Sequence, residues 1–278
     1  PEHFLDTAEM AHGVAVGYDW LYNALDEPTR ATIRDAIVRH GLQVGLAGFE
    51  GTPWGWWHRV SHNWNQVCNG GLIVAALAVA EDEPAVARQT LARALASLPL
   101  ALRQYGPDGA WGEGPGYWGY ATRYTVYALA SLETALGTDL GLSDIPGLDR
   151  AGEFPLYCTG PTGYYFNYAD SGELNARGPL PSLLWLGRRY HRPAYVAEEL
   201  QIAAARRAEP RHLIWYPDDS AAKALPRSLD KRFGGEVEVA LLRSAWGDAD
   251  ALWVAVKAGD NQVNHGHLDL GGFELDAL

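Results

Sequence analysis

The sequence predicts a mainly helical protein: an α-helical domain over residues 1–208 followed by an antiparallel β-sheet domain over residues 209–278. Three observations predict it. Apolar residues recur at helical spacing as far as residue 207, and the segments between the helices are rich in Gly, Pro and Trp. From residue 209 onward, short runs with period-two character are separated by Gly and Asp turns. Successive antiparallel helix pairs that bury one face against the next pair build an α-solenoid or a closed toroid. No internal repeat is visible, so this expectation rests on the series of helices and not on self-similarity.

Taken in order, residues 5–24 carry Leu5, Ala8, Ala11, Val14, Val16 and Leu21 on a helical period. Residues 28–47 carry Ile33, Ile37, Val38, Leu42 and Val44, and Asp26 stands ahead of Pro28 as the cap of that helix. Residues 64–80 form an apolar helix, and residues 85–104 follow the start signal Asp82-Glu83-Pro84. Residues 118–137, 181–190 and 194–207 complete the helices. Strands are expected in the runs Leu213 to Tyr216, Val237 to Arg243, Ala251 to Val256 and Gly272 to Leu275, with the domain boundary within residues 208–232.

The formal charge of -12 and a pI near 5.1 speak against wholesale binding to nucleic acid or to an anionic membrane. No run of eighteen apolar residues occurs, so no membrane-spanning helix is expected, and no signal peptide is visible. The chain starts at Pro1 and stops at Leu278 inside an alternating apolar pattern, so both ends read as cuts through a longer protein. Cys68 and Cys158 match no metal or redox spacing and read as small core residues. The 11 Trp and 14 Tyr exceed what packing alone requires. Each offers a flat apolar face and a polar edge, which suits stacking on sugar rings as well as an aromatic core. Arg59, Arg123, Arg177, Arg188 and Arg189 can supply local positive charge on an acidic protein.

Three segments place polar residues between aromatics and glycines. The first runs from Trp54-Gly55-Trp56-Trp57-His58-Arg59 through Ser61-His62-Asn63-Trp64 into the apolar helix, so His62 and Asn63 stand at a helix mouth, where capping by Ser61 or Asn63 is the plainer alternative. The second is Asp108-Gly109-Ala110-Trp111-Gly112-Glu113-Gly114-Pro115-Gly116-Tyr117-Trp118-Gly119-Tyr120, a loop whose glycines and prolines would hold Tyr117 in a fixed, irregular path. The third is Asn264-His265-Gly266-His267-Leu268-Asp269-Leu270-Gly271-Gly272-Phe273. On an extended strand, His265, His267 and Asp269 fall on one side, as metal ligands or paired catalytic groups would. Glu113 and Asp170 offer a further reading, the carboxylate pair of an inverting glycoside hydrolase.

The order of these segments, with Leu242-Arg243-Ser244-Ala245-Trp246 before the last, resembles the heparinase II/III-like polysaccharide lyases, which include heparin and alginate lyases; the similarity spans residues 55–278. The resemblance implies an incomplete (α/α) toroid followed by the start of an antiparallel β-sandwich, and cleavage of a uronate-containing acidic polysaccharide by β-elimination. It gives Asn63 the task of neutralising the uronate carboxylate, with His62 assisting and Trp64 where some members have His. Tyr117 matches the tyrosine that acts as acid and often also as base, His265 the catalytic histidine and His267 a zinc ligand, the remaining ligands falling beyond Leu278. The expected substrate contacts are Trp54, Trp56, Trp57, Glu113, Trp118, Tyr120 and Arg123, and the resemblance favours a secreted or periplasmic protein with structural zinc. The alternatives are the inverting hydrolase and a non-catalytic carbohydrate-binding module.

Overall fold

A computed structural model describes residues 3–206, 208–217, 227–235 and 237–277. It is mainly helical with one small antiparallel sheet. The chain divides into two compact units, the first Pro1–Leu102 with Tyr124–Ser143, the second Arg103–Arg123 with Asp144–Leu278.

The first unit is built from α1 (Phe4–Leu21), α2 (Glu27–Ala36), α3 (Gln43–Phe49), α4 (Asn63–Ala78), α5 (Pro84–Ser97) and α6 (Pro99–Leu102), with the C-terminal part of α7 (Gly114–Leu136). The Asp26 carboxylate accepts the amide of Thr29 at 2.9 Å, so the expected cap of α2 is present, with Pro28 in the first turn, where a missing N–H costs nothing. A π-helical turn, Ile37–Leu42, joins α2 to α3 and makes one long helical segment of the two. The expected helix over 64–80 is α4, and it forms the core of this unit. Val67, Leu72, Ile73 and Ala75 on it are fully buried. Its glycines let other helices approach: a Cβ on Gly71 would lie 2.4 Å from the Ala8 carbonyl oxygen of α1, and one on Gly70 would lie 2.6 Å from that of Tyr124 on α7.

In the second unit, α8 (Glu153–Tyr157), α9 (Ser182–Arg189), α10 (Pro193–Ala205) and α11 (Arg211–Trp215) precede the strands β1 (Asp230–Phe233), β2 (Val237–Arg243), β3 (Trp253–Gly259) and β4 (Phe273–Asp276). The strands pair antiparallel in chain order, with Leu241 opposite Ala255 and Val256 opposite Phe273. Alternation puts Phe233, Val237, Val239, Leu241, Trp253 and Ala255 on the buried face, where Phe233 meets Phe154 edge-on at 5.3 Å. On β4 the acidic residues turn inward: Asp276 accepts from Thr162, Glu274 accepts the Asn167 amide at 3.2 Å, and Phe273 and Leu275 are exposed.

Two expected strands need correction. The run Leu213 to Tyr216 is not a strand; Leu213, Ile214 and Trp215 lie in the helical turn α11, which follows Pro210, and the His212 ring accepts the Glu209 amide at 2.9 Å. The Asn264-to-Leu270 segment is not extended either, but part of the loop between β3 and β4. β1 was not expected, because Asp230-Lys231-Arg232 carries charge where a strand pattern needs apolar residues and only Phe233 reaches the core. No helix of the described residues is long and apolar enough to cross a membrane.

Candidate active site

The second unit gathers Glu113, Tyr117, Asp170, Asn264, His265, His267 and Asp269 around the β3–β4 loop. Lys257 forms the neck of this loop, donating its amide to Gly272 O and accepting from the Gly271 amide, both at 2.9 Å. Within it, Gly266 N bonds Val263 O at 2.8 Å, and Leu270 N reaches the Asn261 side chain at 3.3 Å. His265 adopts φ 54°, a left-handed backbone that costs a non-glycine residue about 1–3 kcal/mol and that clusters where function requires it. The neighbouring segment is strained in the same way: Ala169 has φ 52°, and its amide donates to Asp269 Oδ2 at 2.8 Å.

The two histidines share one carboxylate. His265 Nδ1 lies 2.5 Å from Asp170 Oδ2, and His267 Nε2 lies 2.7 Å from Asp170 Oδ1. The other nitrogen of His265 faces Glu113 Oε1 at 3.3 Å. Glu113 is 2% exposed, and its carboxylate also accepts from Asn264 Nδ2 at 2.8 Å and from Trp111 Nε1 at 3.0 Å. A buried carboxylate is tolerable only when its oxygens are satisfied in this way. The Tyr117 ring lies over the His265 ring with centroids 4.4 Å apart and planes within 19°.

Tyr117 sits in the first turns of α7, so the irregular path expected around it ends at Glu113, and Gly114 turns the chain into the helix with φ 89°. Burial, then the Asp170 and Glu113 charges, push the Tyr117 phenol above its ordinary range. The half-buried phenol therefore holds its proton more tightly than a free tyrosine does. Burial also pushes the Lys257 ammonium down, against the pull of Asp269, Asp260 and Glu238.

The expected substrate contacts fare unequally. Trp118 and Trp57 are fully buried, the latter with its ring stacked on Phe4 at 4.8 Å, so packing occupies the faces a sugar would need. Trp54 stacks on Phe4 at 5.5 Å. Trp56 is 43% exposed and leans on Trp64 at 4.5 Å. Glu113, expected at the substrate, is buried and engages His265 Nε2 and Asn264 Nδ2. Tyr120 and Arg123 are half-buried on α7. Asn63 opens α4 in the first unit and is 1% exposed, with His62 extended before it.

Asp170 as the partner of both histidines was missed from sequence, as was the Asn264 contact with Glu113. Asn264 adjoins the histidines, and that adjacency is a usable signal; nothing local points from Tyr168-Ala169-Asp170 to a loop so far along the chain. Among the described residues, no group of three or more His, Cys, Asp or Glu is arranged to hold a metal ion, and the His267 nitrogen that would bind zinc faces Asp170. Compared with models of known protein families and with curated proteins, the chain matches none.

Proposed function

We propose that this chain is a polysaccharide lyase of the heparinase II/III-like kind, with its helices part of an (α/α) toroid and its sheet the start of a β-sandwich, and that it cleaves a uronate-containing polysaccharide by β-elimination. The observation that carries the reading is the stacked Tyr117–His265 pair, its imidazole flanked by Asp170 and Glu113. In β-elimination a base removes the proton from the carbon next to the uronate carboxylate. The C–O bond on the adjacent carbon then breaks, leaving a C=C bond, and an acid protonates the departing oxygen.

The raised phenol supports Tyr117 as the acid, since a tyrosine acting as base near neutrality needs a shift in the opposite direction. The base is then His265, through Nε2, whose 3.3 Å contact is the looser of its two. A proton arriving there creates an imidazolium between two carboxylates, which stabilise the charge as it develops. The same carboxylates repel a uronate, so the substrate's own carboxylate is met by residues outside this cluster. Asn63 and His62, in the first unit, enter the proposal only through the resemblance, which gives them that task. The inverting-hydrolase reading is disfavoured, because Glu113 is buried and both its oxygens already accept protein hydrogen bonds.

The test is incubation of the protein with heparin, heparan, alginate, hyaluronate and chondroitin while ultraviolet absorbance of an unsaturated product is followed. New absorbance supports the lyase. Reducing ends without absorbance indicate the hydrolase, and binding without either indicates a carbohydrate-binding module. Tyr117→Phe is expected to lower kcat by about 10²–10⁴-fold with substrate binding largely kept; full activity in that variant removes Tyr117 from the mechanism.

A further inference from the structure

We propose that Asp170 is the positioning residue of this site, a single carboxylate that sets the ring orientation of His265 and leaves its Nε2 as the working nitrogen; the catalytic part of this inference rests on the lyase reading. The two oxygens of Asp170 are divided between two rings, Oδ2 to His265 Nδ1 at 2.5 Å and Oδ1 to His267 Nε2 at 2.7 Å. Which imidazole nitrogen carries the proton is set by the partner of the other nitrogen. Both ring nitrogens face carboxylates, but Asp170 Oδ2 lies 2.5 Å from Nδ1, whereas Glu113 Oε1 lies 3.3 Å from Nε2 and already accepts from Asn264 Nδ2, so the nearer Asp170 holds the proton of neutral His265 on Nδ1.

The carboxylate is itself held in place. Its neighbour Ala169 is in the left-handed region and donates to Asp269 Oδ2 at 2.8 Å, so the Asp170 turn and the histidine loop fasten each other in both directions. On the other side, Ser171 donates its amide to Tyr168 O at 3.2 Å, and its carbonyl accepts from Asn175 Nδ2 at 2.7 Å. The ring that Asp170 orients is also the one stacked on Tyr117. Turning the imidazole about its bond to the chain would move its nitrogens away from Asp170 and Glu113 and spoil the parallel contact with the phenol ring.

The test pairs kinetics with a structural readout that needs no turnover. In protein labelled with ¹⁵N at histidine, long-range ¹H–¹⁵N correlation spectra distinguish the two neutral tautomers. The expectation for the unsubstituted protein is His265 protonated on Nδ1, and for Asp170→Ala a mixture of tautomers. Asp170→Ala is also expected to lose kcat by on the order of 10²-fold, with KM little changed, within the ~10⁴-fold that a wrong imidazole tautomer costs a catalytic triad. Asp170→Asn keeps one accepting oxygen and is expected to recover part of that loss, with circular dichroism showing that each variant folds. His265 protonated on Nε2 in the unsubstituted protein, or an Asp170→Ala variant with unaltered tautomer and unaltered kcat, overturns the proposal. If the unsubstituted protein eliminates no substrate, the lyase reading fails, and the spectra alone decide the role of Asp170.

Discussion

For the proposed elimination, the upward push on the Tyr117 phenol has a direct kinetic consequence. An acid works only while protonated, and burial together with Asp170 and Glu113 keeps this one protonated beyond the ordinary tyrosine value of 10.0. The fall in kcat that reports Tyr117 is therefore expected above pH 10, and a pH–rate profile with a tyrosine-dependent fall well below that value would contradict the assignment. Single residues were the least legible scale. Tyr117 and His265 stood out because each sits among glycines and aromatics that a plain helix or strand has no use for. Glu113 reads as a substrate contact for the same reason, yet it is buried against His265 Nε2, because sequence carries no record of which way a side chain faces. Trp57 and Trp118 show the same limit: an aromatic that packs and an aromatic that stacks on sugar are the same letter.

Helices were legible because their apolar period is local. The helices expected over 5–24, 64–80, 181–190 and 194–207 correspond to α1, α4, α9 and α10, and the Asp26 cap was read from position alone. What the period hides is how close neighbouring helices come. With the Gly71 Cβ position 2.4 Å from Ala8 O, Gly71→Leu is expected to push α1 from α4, destabilising by about 1–3 kcal/mol as overpacked cores do and lowering the thermal midpoint by several degrees. An unchanged midpoint would mean that α1 can shift without loss. The histidine loop reads as a strand in sequence because alternation of His, Leu and Asp imitates a period of two. Its conformation depends on contacts of His265, His267 and Asp269 with Ala169 and Asp170, far earlier in the chain, which no local pattern reveals.

At the scale of the molecule, the two units each carry their own core, and the division cuts α7 between Arg123 and Tyr124, where the sequence shows no change of texture. Burial raises the phenols of Tyr157, Tyr165, Tyr168 and Tyr195, as it does that of Tyr117. Above pH 10 the unfolded chain releases these protons before the folded one does. The stability they contribute, complete below pH 10, is then lost as pH rises through the folded values. Thermal midpoints measured from pH 8 upward should hold steady and then drop beyond pH 10; a midpoint that rises there would contradict the burial of these rings. The paired neck at Lys257 carries a last consequence. Because the same two backbone hydrogen bonds finish the β3–β4 hairpin and begin the turn that bears the imidazoles, fraying this edge of the sheet should dismantle the Tyr117–His265 pair while every helix persists. Mild urea should silence the proposed turnover before the far-ultraviolet helical signal falls, and simultaneous loss of both would show that the hairpin melts only with the whole.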